Sequence, residues 1–197
     1  MKLQVIIGAT RQGRITDRAA KWVANEAKNL ADTEVELIDL RDYEMPFFDE
    51  AISPQYNSDR QPIPAVKKWL DKVAEADAYV FVTPEYNRST SAVLKNAIDY
   101  LDFQLSQKPV ALVAHGSTGG AQAVSHLRGI LAGAQSFSVP NATYFSDRVG
   151  EKIDEEGNLD ESVKANPYGP HAALTRTLTE LKWYSDALST ARANSAQ

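Results

Sequence analysis

Short apolar runs alternate with segments of helical periodicity along most of the chain, and this alternation constrains the fold more than any other feature. The apolar runs predict strands at residues 3–7, 35–40, 78–83, 109–114 and 136–139. The spacing of apolar side chains between and after these runs predicts helices at residues 16–30, 64–74, 90–103, 121–131 and 171–189.

The predicted strands are continuous apolar runs rather than alternating patterns, which is typical of parallel strands covered on both faces. Strands that alternate with helices predict a doubly wound α/β fold. No repeat or linker divides the chain, so we expect one domain over residues 1–197. Residues 141–166 are polar and turn-rich, and we assign no element to them.

Composition excludes several classes of function. The chain has no cysteine, and its three histidines are scattered, so a zinc site or another structural metal is not expected. The formal net charge of −5 lacks the basic face that nucleic-acid binding needs. No apolar run approaches the roughly 20 residues that cross a bilayer, and we interpret the apolar N-terminus as a strand. These features predict a cytoplasmic protein that binds neither nucleic acid nor membrane.

Three loops follow the first, third and fourth predicted strands, and a parallel sheet brings such loops together at one edge. Loop one is residues 8–16, loop two is residues 84–91 and loop three is residues 115–120. Open α/β sheets bind their ligands at this edge. We therefore expect the functional site among these three loops.

Loop one precedes a helix, whose N-terminal N–H groups favour an anion. Thr10 and Thr16 add hydroxyl groups, and Arg11 and Arg14 add positive charges, so we interpret the loop as a cradle for one terminal phosphate. A helix cap with Thr16 as the N-cap residue is the structural alternative.

Two common phosphate motifs do not match loop one. Arg14-Ile15 replaces the Lys-Ser/Thr of a Walker A loop, and Thr10 occupies the second glycine position of the dinucleotide fingerprint. Asp39 ends the second strand where an acid that binds ribose would stand, but we interpret it as a strand-terminal turn residue.

The other two loops are ambiguous when each is taken alone. Loop two offers the aromatic ring of Tyr86, the amide of Asn87 and the carboxylate of Glu85, yet it could be only a tight turn with Tyr86 over the edge of the core. Gly119 and Gly120 of loop three could admit a flat ring or only let a helix pack closely. Together the loops suit one phosphate and one flat ring, which matches FMN better than ATP or NAD.

The sequence resembles the NAD(P)H-dependent FMN reductases, a family of flavodoxin-like proteins that includes quinone and azo reductases. The resemblance covers roughly the first two-thirds of the chain. Its most specific part is Pro84-Glu85-Tyr86-Asn87 followed by Leu94-Lys95-Asn96-Ala97-Ile98-Asp99-Tyr100. Gly8-Ala9-Thr10-Arg11 is similar to the family's Gly-Ser-x-Arg phosphate loop. Ser91 and His115 depart from the family pattern, and the serine suggests a looser entry into the helix that follows.

The resemblance implies a flavodoxin-like three-layer sandwich with five parallel strands in the order 2-1-3-4-5. It implies that FMN is the cofactor and that homodimers or homotetramers form through the helix that begins near Thr90. The implied FMN contacts are the phosphate ligands Thr10, Arg11, Arg14 and Thr16, the loop-two residues Pro84, Glu85, Tyr86 and Asn87, and the loop-three residues Ser117, Gly119 and Gly120.

The expected activity follows from this cofactor. Hydride passes from NADPH or NADH to flavin N5 and then to a flavin, quinone, azo or metal acceptor, with no catalytic acid or base from the protein. Two alternatives keep the same fold: an electron carrier of the flavodoxin type, and a flavin-binding regulator without turnover. The preference between NADH and NADPH, the natural acceptor and any ligand contact by His115 stay open.

Overall fold

The computed structural model describes residues 1–146 and 148–195. Its sheet has five strands, all parallel, in the order β2-β1-β3-β4-β5. The strands are β1 (Lys2–Ile7), β2 (Glu34–Asp39), β3 (Ala78–Pro84), β4 (Pro109–His115) and β5 (Phe137–Phe145). This confirms the predicted flavodoxin-like sheet and its order.

Helices cover both faces of the sheet and form two apolar cores. The helices are α1 (Thr16–Ala27), α2 (Pro64–Ala74), α3 (Ala92–Asp99), α4 (Ala121–Gly133), α5 (Val149–Lys152), α6 (Glu161–Lys164) and α7 (Pro170–Ser195). Helices α2, α3 and α4 supply one core, and α1, α5 and α7 supply the other. Every residue of β3 and β4 is buried, because successive side chains point into opposite cores.

The fifth strand is longer than its apolar run indicates. The prediction ended at residue 139, whereas β5 continues to Phe145 and takes in part of the polar segment. The pairing with β4 shifts at this point, from Val110 opposite Ser138 to Leu112 opposite Ala142. Pro140 lies in the shifted stretch, and an edge strand tolerates a proline that has no N–H to donate. The apolar pattern ends at the proline and the polar residues around it, so it did not predict the second half of β5.

Several helix boundaries also differ from the prediction. Helix α1 ends three residues early, at Ala27, and α7 extends to Ser195. Helix α3 spans Ala92–Asp99 rather than residues 90–103. Among the described residues of the unassigned segment after β5 are α5, α6 and a small bridge between Ile153 and Leu159.

Ser91 fixes the start of α3 and ties it to loop one. Its hydroxyl oxygen accepts from the N–H of Leu94 at 3.2 Å, and the hydroxyl donates to the carbonyl of Gly8. The residue is buried. The expected looser entry into this helix is therefore wrong, since serine is a strong N-cap residue.

We expect Ser91→Ala to lower the free energy of unfolding by about 1 to 2 kcal/mol, because the cap is lost and the Gly8 carbonyl loses its donor. Urea unfolding measures this change. Ser91→Thr keeps both hydrogen-bonding groups and serves as the control. Equal stability of the alanine variant and the wild type would contradict the capping role.

Within residues 1–146 and 148–195, no helix is long and apolar enough to cross a membrane.

Candidate functional site

The three loops meet at the carboxyl edge of the sheet, as predicted. At this edge, Ile7 of β1 pairs with Val82 of β3, and Pro84 of β3 pairs with His115 of β4. The N–H of Gly8 donates to the carbonyl of Val82 at 2.8 Å, which extends this register into loop one. A Cβ atom on Gly8 would lie 2.7 Å from the Val82 oxygen, so only glycine allows this approach.

Loop one leaves a row of backbone donors free. In the part of the chain that the structure describes, the N–H groups of Thr10, Arg11 and Gln12 have no acceptor. The Arg11 side chain is exposed, and its guanidinium carbon lies 5.8 Å from the centre of the Tyr86 ring. A cation at this distance from an aromatic ring is attracted to it. Loop one thus presents three N–H groups and one free positive charge.

The Arg14 side chain, predicted to contact the phosphate, is paired with a carboxylate of the protein. The side chain is 4% exposed, and its guanidinium forks onto both carboxylate oxygens of Asp39 while also donating to the carbonyl of Ala9. Burial alone would raise the pKa of Asp39, but hydrogen bonds from Arg14 and from the Arg41 N–H outweigh it and hold this pKa below its usual value. The Arg14 charge is therefore neutralised behind the loop.

The Thr16 side chain, also predicted to contact the phosphate, is paired within the protein. It is fully buried, and its hydroxyl pairs with Nε2 of His115 at 3.0 Å. The N-cap position of α1 belongs to Ile15, which makes no side-chain cap, so the alternative of a Thr16 cap is wrong. Only the backbone N–H of Thr16, in the first turn of α1, remains for an anion.

His115 lies beneath loops one and three and is 5% exposed. Burial, together with the nearby positive charge of Arg11, lowers the pKa of this histidine to about 4. The imidazole is therefore neutral at physiological pH. His115 is thus a buried side chain with a hydrogen bond to Thr16.

Loop two contains a two-residue hairpin turn. Tyr86 and Ser89 exchange backbone hydrogen bonds of 2.9 and 3.0 Å, and Asn87 and Arg88 between them have φ of 48° and 68°. Such a turn requires positive φ at both central residues, and asparagine adopts it readily. The tight-turn alternative is therefore correct for the backbone, but the Tyr86 ring is 36% exposed and does not seal the core.

Glu85 joins loop two to loop three. Its backbone N–H donates to the carbonyl of His115 at 2.8 Å. Its carboxylate accepts from the Thr118 hydroxyl at 3.2 Å and from the Gln122 N–H at 3.0 Å. Pro84 is the buried last residue of β3. The geometry makes these two residues supports of the loops.

Loop three is held close to the sheet by Gly120. This residue has φ of 83°, and a Cβ atom on it would lie 2.5 Å from the Cβ of Ala114. The packing alternative thus accounts for Gly120. Gly119 is buried beside it, whereas Ser117 is exposed and lines a cavity of about 430 Å³ together with His115.

A cleft of about 500 Å³ opens beside loop one. Thr10, Arg11 and Tyr86 line it, and the start of α3 forms its floor. The remaining side is residues 45–47, here called the cleft wall. Sequence reasoning missed this wall, although an aromatic pair inside a long polar connection was a usable signal.

Asn96 of α3 holds the cleft wall in place. Its amide nitrogen donates to the carbonyl of Pro46 at 2.7 Å, and its oxygen accepts from the N–H of Phe48 at 2.8 Å. Phe47 lies between these two anchors with 81% of its side chain exposed. The cleft therefore has one firmly placed apolar side.

The sequence is similar to those of known proteins. The family model described as NADPH-dependent FMN reductase matches residues 1–151. An NAD(P)H-dependent FMN reductase from Schizosaccharomyces pombe is 34% identical over 184 residues, which cover 92% of this chain and 85% of the relative. An NADPH azoreductase from a Bacillus species is 37% identical over 167 residues, which cover 83% of this chain and 85% of the relative.

The fold is shared with a solved structure, the flavoenzyme NAD(P)H:(acceptor) oxidoreductase FerB from Paracoccus denitrificans. That chain aligns with a TM-score of 0.68 at 20% identity, covering 96% of this chain and 97% of the other. The family model spans more than half of the sequence, and both relatives exceed 30% identity over most of their length. The chain therefore belongs to the NADPH-dependent FMN reductase family and is an NAD(P)H-dependent oxidoreductase with FMN as its cofactor.

Proposed function

We propose that this enzyme holds FMN across the three loops, takes hydride from NAD(P)H and passes the electrons to a small flavin, quinone, azo or metal acceptor. The observation that carries the proposal is the row of free N–H groups on loop one beside an open cleft lined by Tyr86. FMN, when bound, supplies the two-electron chemistry, and the chain supplies binding, orientation and electrostatics.

Loop one fits the phosphate of FMN. The N–H groups of Thr10, Arg11 and Gln12 are donors without acceptors among the described residues, and such a series forms an anion-binding concavity. Arg14, the other arginine of loop one, is paired with Asp39. Arg11 has no carboxylate partner in the described chain, so its positive charge is available to the phosphate. We assign the phosphate to these groups, with the Thr10 hydroxyl and the Thr16 N–H at the margin.

Loops two and three fit the flat ring. Tyr86 and Asn87 flank it on one side, and Ser117 and Gly119 flank it on the other. The N–H groups of Ser117 and Thr118 have no acceptor in the parts of the chain described by the structure. We assign to them the stabilisation of negative charge on the pyrimidine side of the ring, because preformed N–H donors stabilise charge without reorganisation. Pro84, Glu85 and Gly120 hold loops two and three in position and are not assigned a contact with the ring.

The visible spectrum of the purified protein tests the proposal. A yellow protein that bleaches on anaerobic addition of NADPH or NADH, and recovers with a quinone or an azo dye, is the expected result. Protein reconstituted with FMN that fails to oxidise either nucleotide with any of these acceptors would overturn it. A stable one-electron state without nucleotide turnover would instead identify an electron carrier.

We also propose that the protein forms homodimers or homotetramers through α3 and α4. Gly129 and Gly133 lie one turn apart on α4, and an added Cβ at either position would meet nothing within 4 Å. Glycine costs roughly 1 kcal/mol in the interior of a helix, so Gly129, which no packing within the subunit requires, favours close approach of a second chain. Gly129 lines a shallow groove between α3 and α4 with Ala92 and Ile130.

We expect Gly129→Leu to weaken this association while leaving the subunit at least as stable, because leucine is the better helix former by roughly 0.8 kcal/mol. Sedimentation velocity measures the oligomer, and thermal unfolding at low protein concentration measures the subunit. An unchanged oligomer with the leucine in place would place the interface elsewhere. Exposed Ala187 on α7, away from α3 and α4, offers a control through Ala187→Leu.

A single FMN-binding domain over residues 1–197 and a cytoplasmic location complete the proposal. Both helix layers pack on the same sheet, which supports one domain. The absence of cysteine fits a reducing compartment.

A further inference from the structure

An arginine–carboxylate network lies behind loop one, on side chains that the proposed FMN contacts do not include. Arg14 donates to both oxygens of Asp39 and to the carbonyl of Ala9. The N–H of Arg41 donates to Asp39 at 2.9 Å. The Arg41 guanidinium then donates to the carbonyl of Thr10 at 3.1 Å and to the carbonyl of Arg11 at 2.6 Å.

The network engages three consecutive carbonyls, and this fixes three consecutive peptide planes. No peptide bond in the described chain is cis, so each carbonyl points opposite to the N–H of the following residue. The carbonyls of Ala9, Thr10 and Arg11 point toward the two arginines. The N–H groups of Thr10, Arg11 and Gln12 therefore point away from them, and none of the three has an acceptor among the described residues.

We propose that Asp39 and Arg41 are positioning residues for the FMN phosphate. They hold loop one with its N–H row already turned toward the phosphate, and neither side chain touches the cofactor. A loop fixed in its bound conformation binds more tightly because less ordering remains to be done at the moment of binding. This inference rests on the phosphate placement proposed above.

Each residue has a distinct part in the network. Asp39 ends β2 and accepts from both arginines, so it couples loop one to the sheet. Arg41 is exposed and lies in a short 3₁₀ turn, Leu40–Asp42, whose N-cap is Asp39. Replacement of Arg41 therefore removes the contacts to loop one without leaving a buried charge, and Arg14 keeps its carboxylate partner.

The experiment compares FMN with riboflavin, which has the same ring and ribityl chain but no phosphate. Arg41→Ala is expected to weaken FMN binding about tenfold, since two hydrogen bonds to loop one are lost, and to leave riboflavin binding within about twofold. Arg41→Lys is expected to recover part of the loss, because one ammonium cannot donate to both carbonyls in the fork geometry. Fluorescence quenching of each flavin gives the dissociation constants.

Arg128→Ala is the matched control. The Arg128 guanidinium also donates to two consecutive carbonyls, those of Val139 and Pro140 at 3.1 and 2.6 Å, but it does so beside β5. The control is expected to leave both flavin affinities unchanged. Asp39→Asn tests the carboxylate, because asparagine keeps an acceptor for the Arg41 N–H but has no negative charge. This variant is also expected to bind FMN more weakly and riboflavin as the wild type does.

The outcomes separate this inference from the proposed function. Equal losses for FMN and riboflavin in Arg41→Ala would show a merely structural role, and no loss for either would show no role; both results overturn the positioning. A wild-type protein that binds riboflavin as tightly as FMN would overturn the phosphate placement itself. A loss for FMN alone supports the positioning role.

Discussion

An Arg11→Ala variant is expected to bind FMN about 10-fold to 150-fold more weakly than the wild type. A hydrogen bond to a charged group contributes about 1.5 to 3 kcal/mol, which corresponds to this range of dissociation constants. Arg11 is exposed, and in the described chain its guanidinium has no carboxylate partner, so its charge is available to a phosphate. The variant should also lose the contact between the guanidinium and the Tyr86 ring.

Fluorescence titration with FMN measures this loss, and riboflavin again reports on the phosphate. The control is Arg176→Ala, which removes a positive charge from an exposed arginine on α7. The control should bind FMN like the wild type. An Arg11→Ala protein with unchanged FMN affinity would remove Arg11 from the site and leave the N–H row as the only phosphate contact.

Much of the site could be predicted because it follows from topology. Continuous apolar runs separated by helices determine a parallel sheet, and a parallel sheet places the loops after β1, β3 and β4 together. Gly8, Tyr86 and Ser117 therefore lie at the predicted edge, although they are far apart in sequence. None of this required knowledge of individual side-chain contacts.

The partner of each charged side chain could not be predicted in the same way. Arg11 and Arg14 have the same chemistry and lie three residues apart, yet one is exposed and the other is buried against Asp39. Their difference depends on a carboxylate at the end of β2, which the sequence alone does not pair with either arginine. Thr16 likewise depends on His115, 99 residues away.

The length of β5 and the cleft wall could not be predicted from local sequence, because tertiary packing determines both. Pro140 interrupts an apolar run, but an edge strand accommodates it, so β5 extends beyond it. Residues 45–47 carry no periodicity that would mark them as a cleft wall, and the anchor that fixes them is Asn96 on α3. Each of these features is set by a contact between distant segments.

Acid is expected to destabilise the FMN-free protein by about 3 kcal/mol between pH 6.5 and pH 4 through His115 alone. The pKa of this histidine is about 4 in the folded protein, against about 6.5 in an unfolded chain. The unfolded state therefore binds more protons in this interval, and stability present above pH 6.5 is lost as the pH falls toward 4. The loss ends near pH 4, where the folded protein also takes up the proton.

Urea unfolding at a series of pH values measures this dependence, and His115→Gln provides the comparison. Glutamine does not titrate and can still pair with the Thr16 hydroxyl, so its stability should change less over the same interval. The lowered pKa of Asp39 contributes an acid loss of its own, but that loss falls mainly below about pH 4. Parallel curves for the two proteins between pH 6.5 and pH 4 would show that His115 is not the group whose protonation opposes folding.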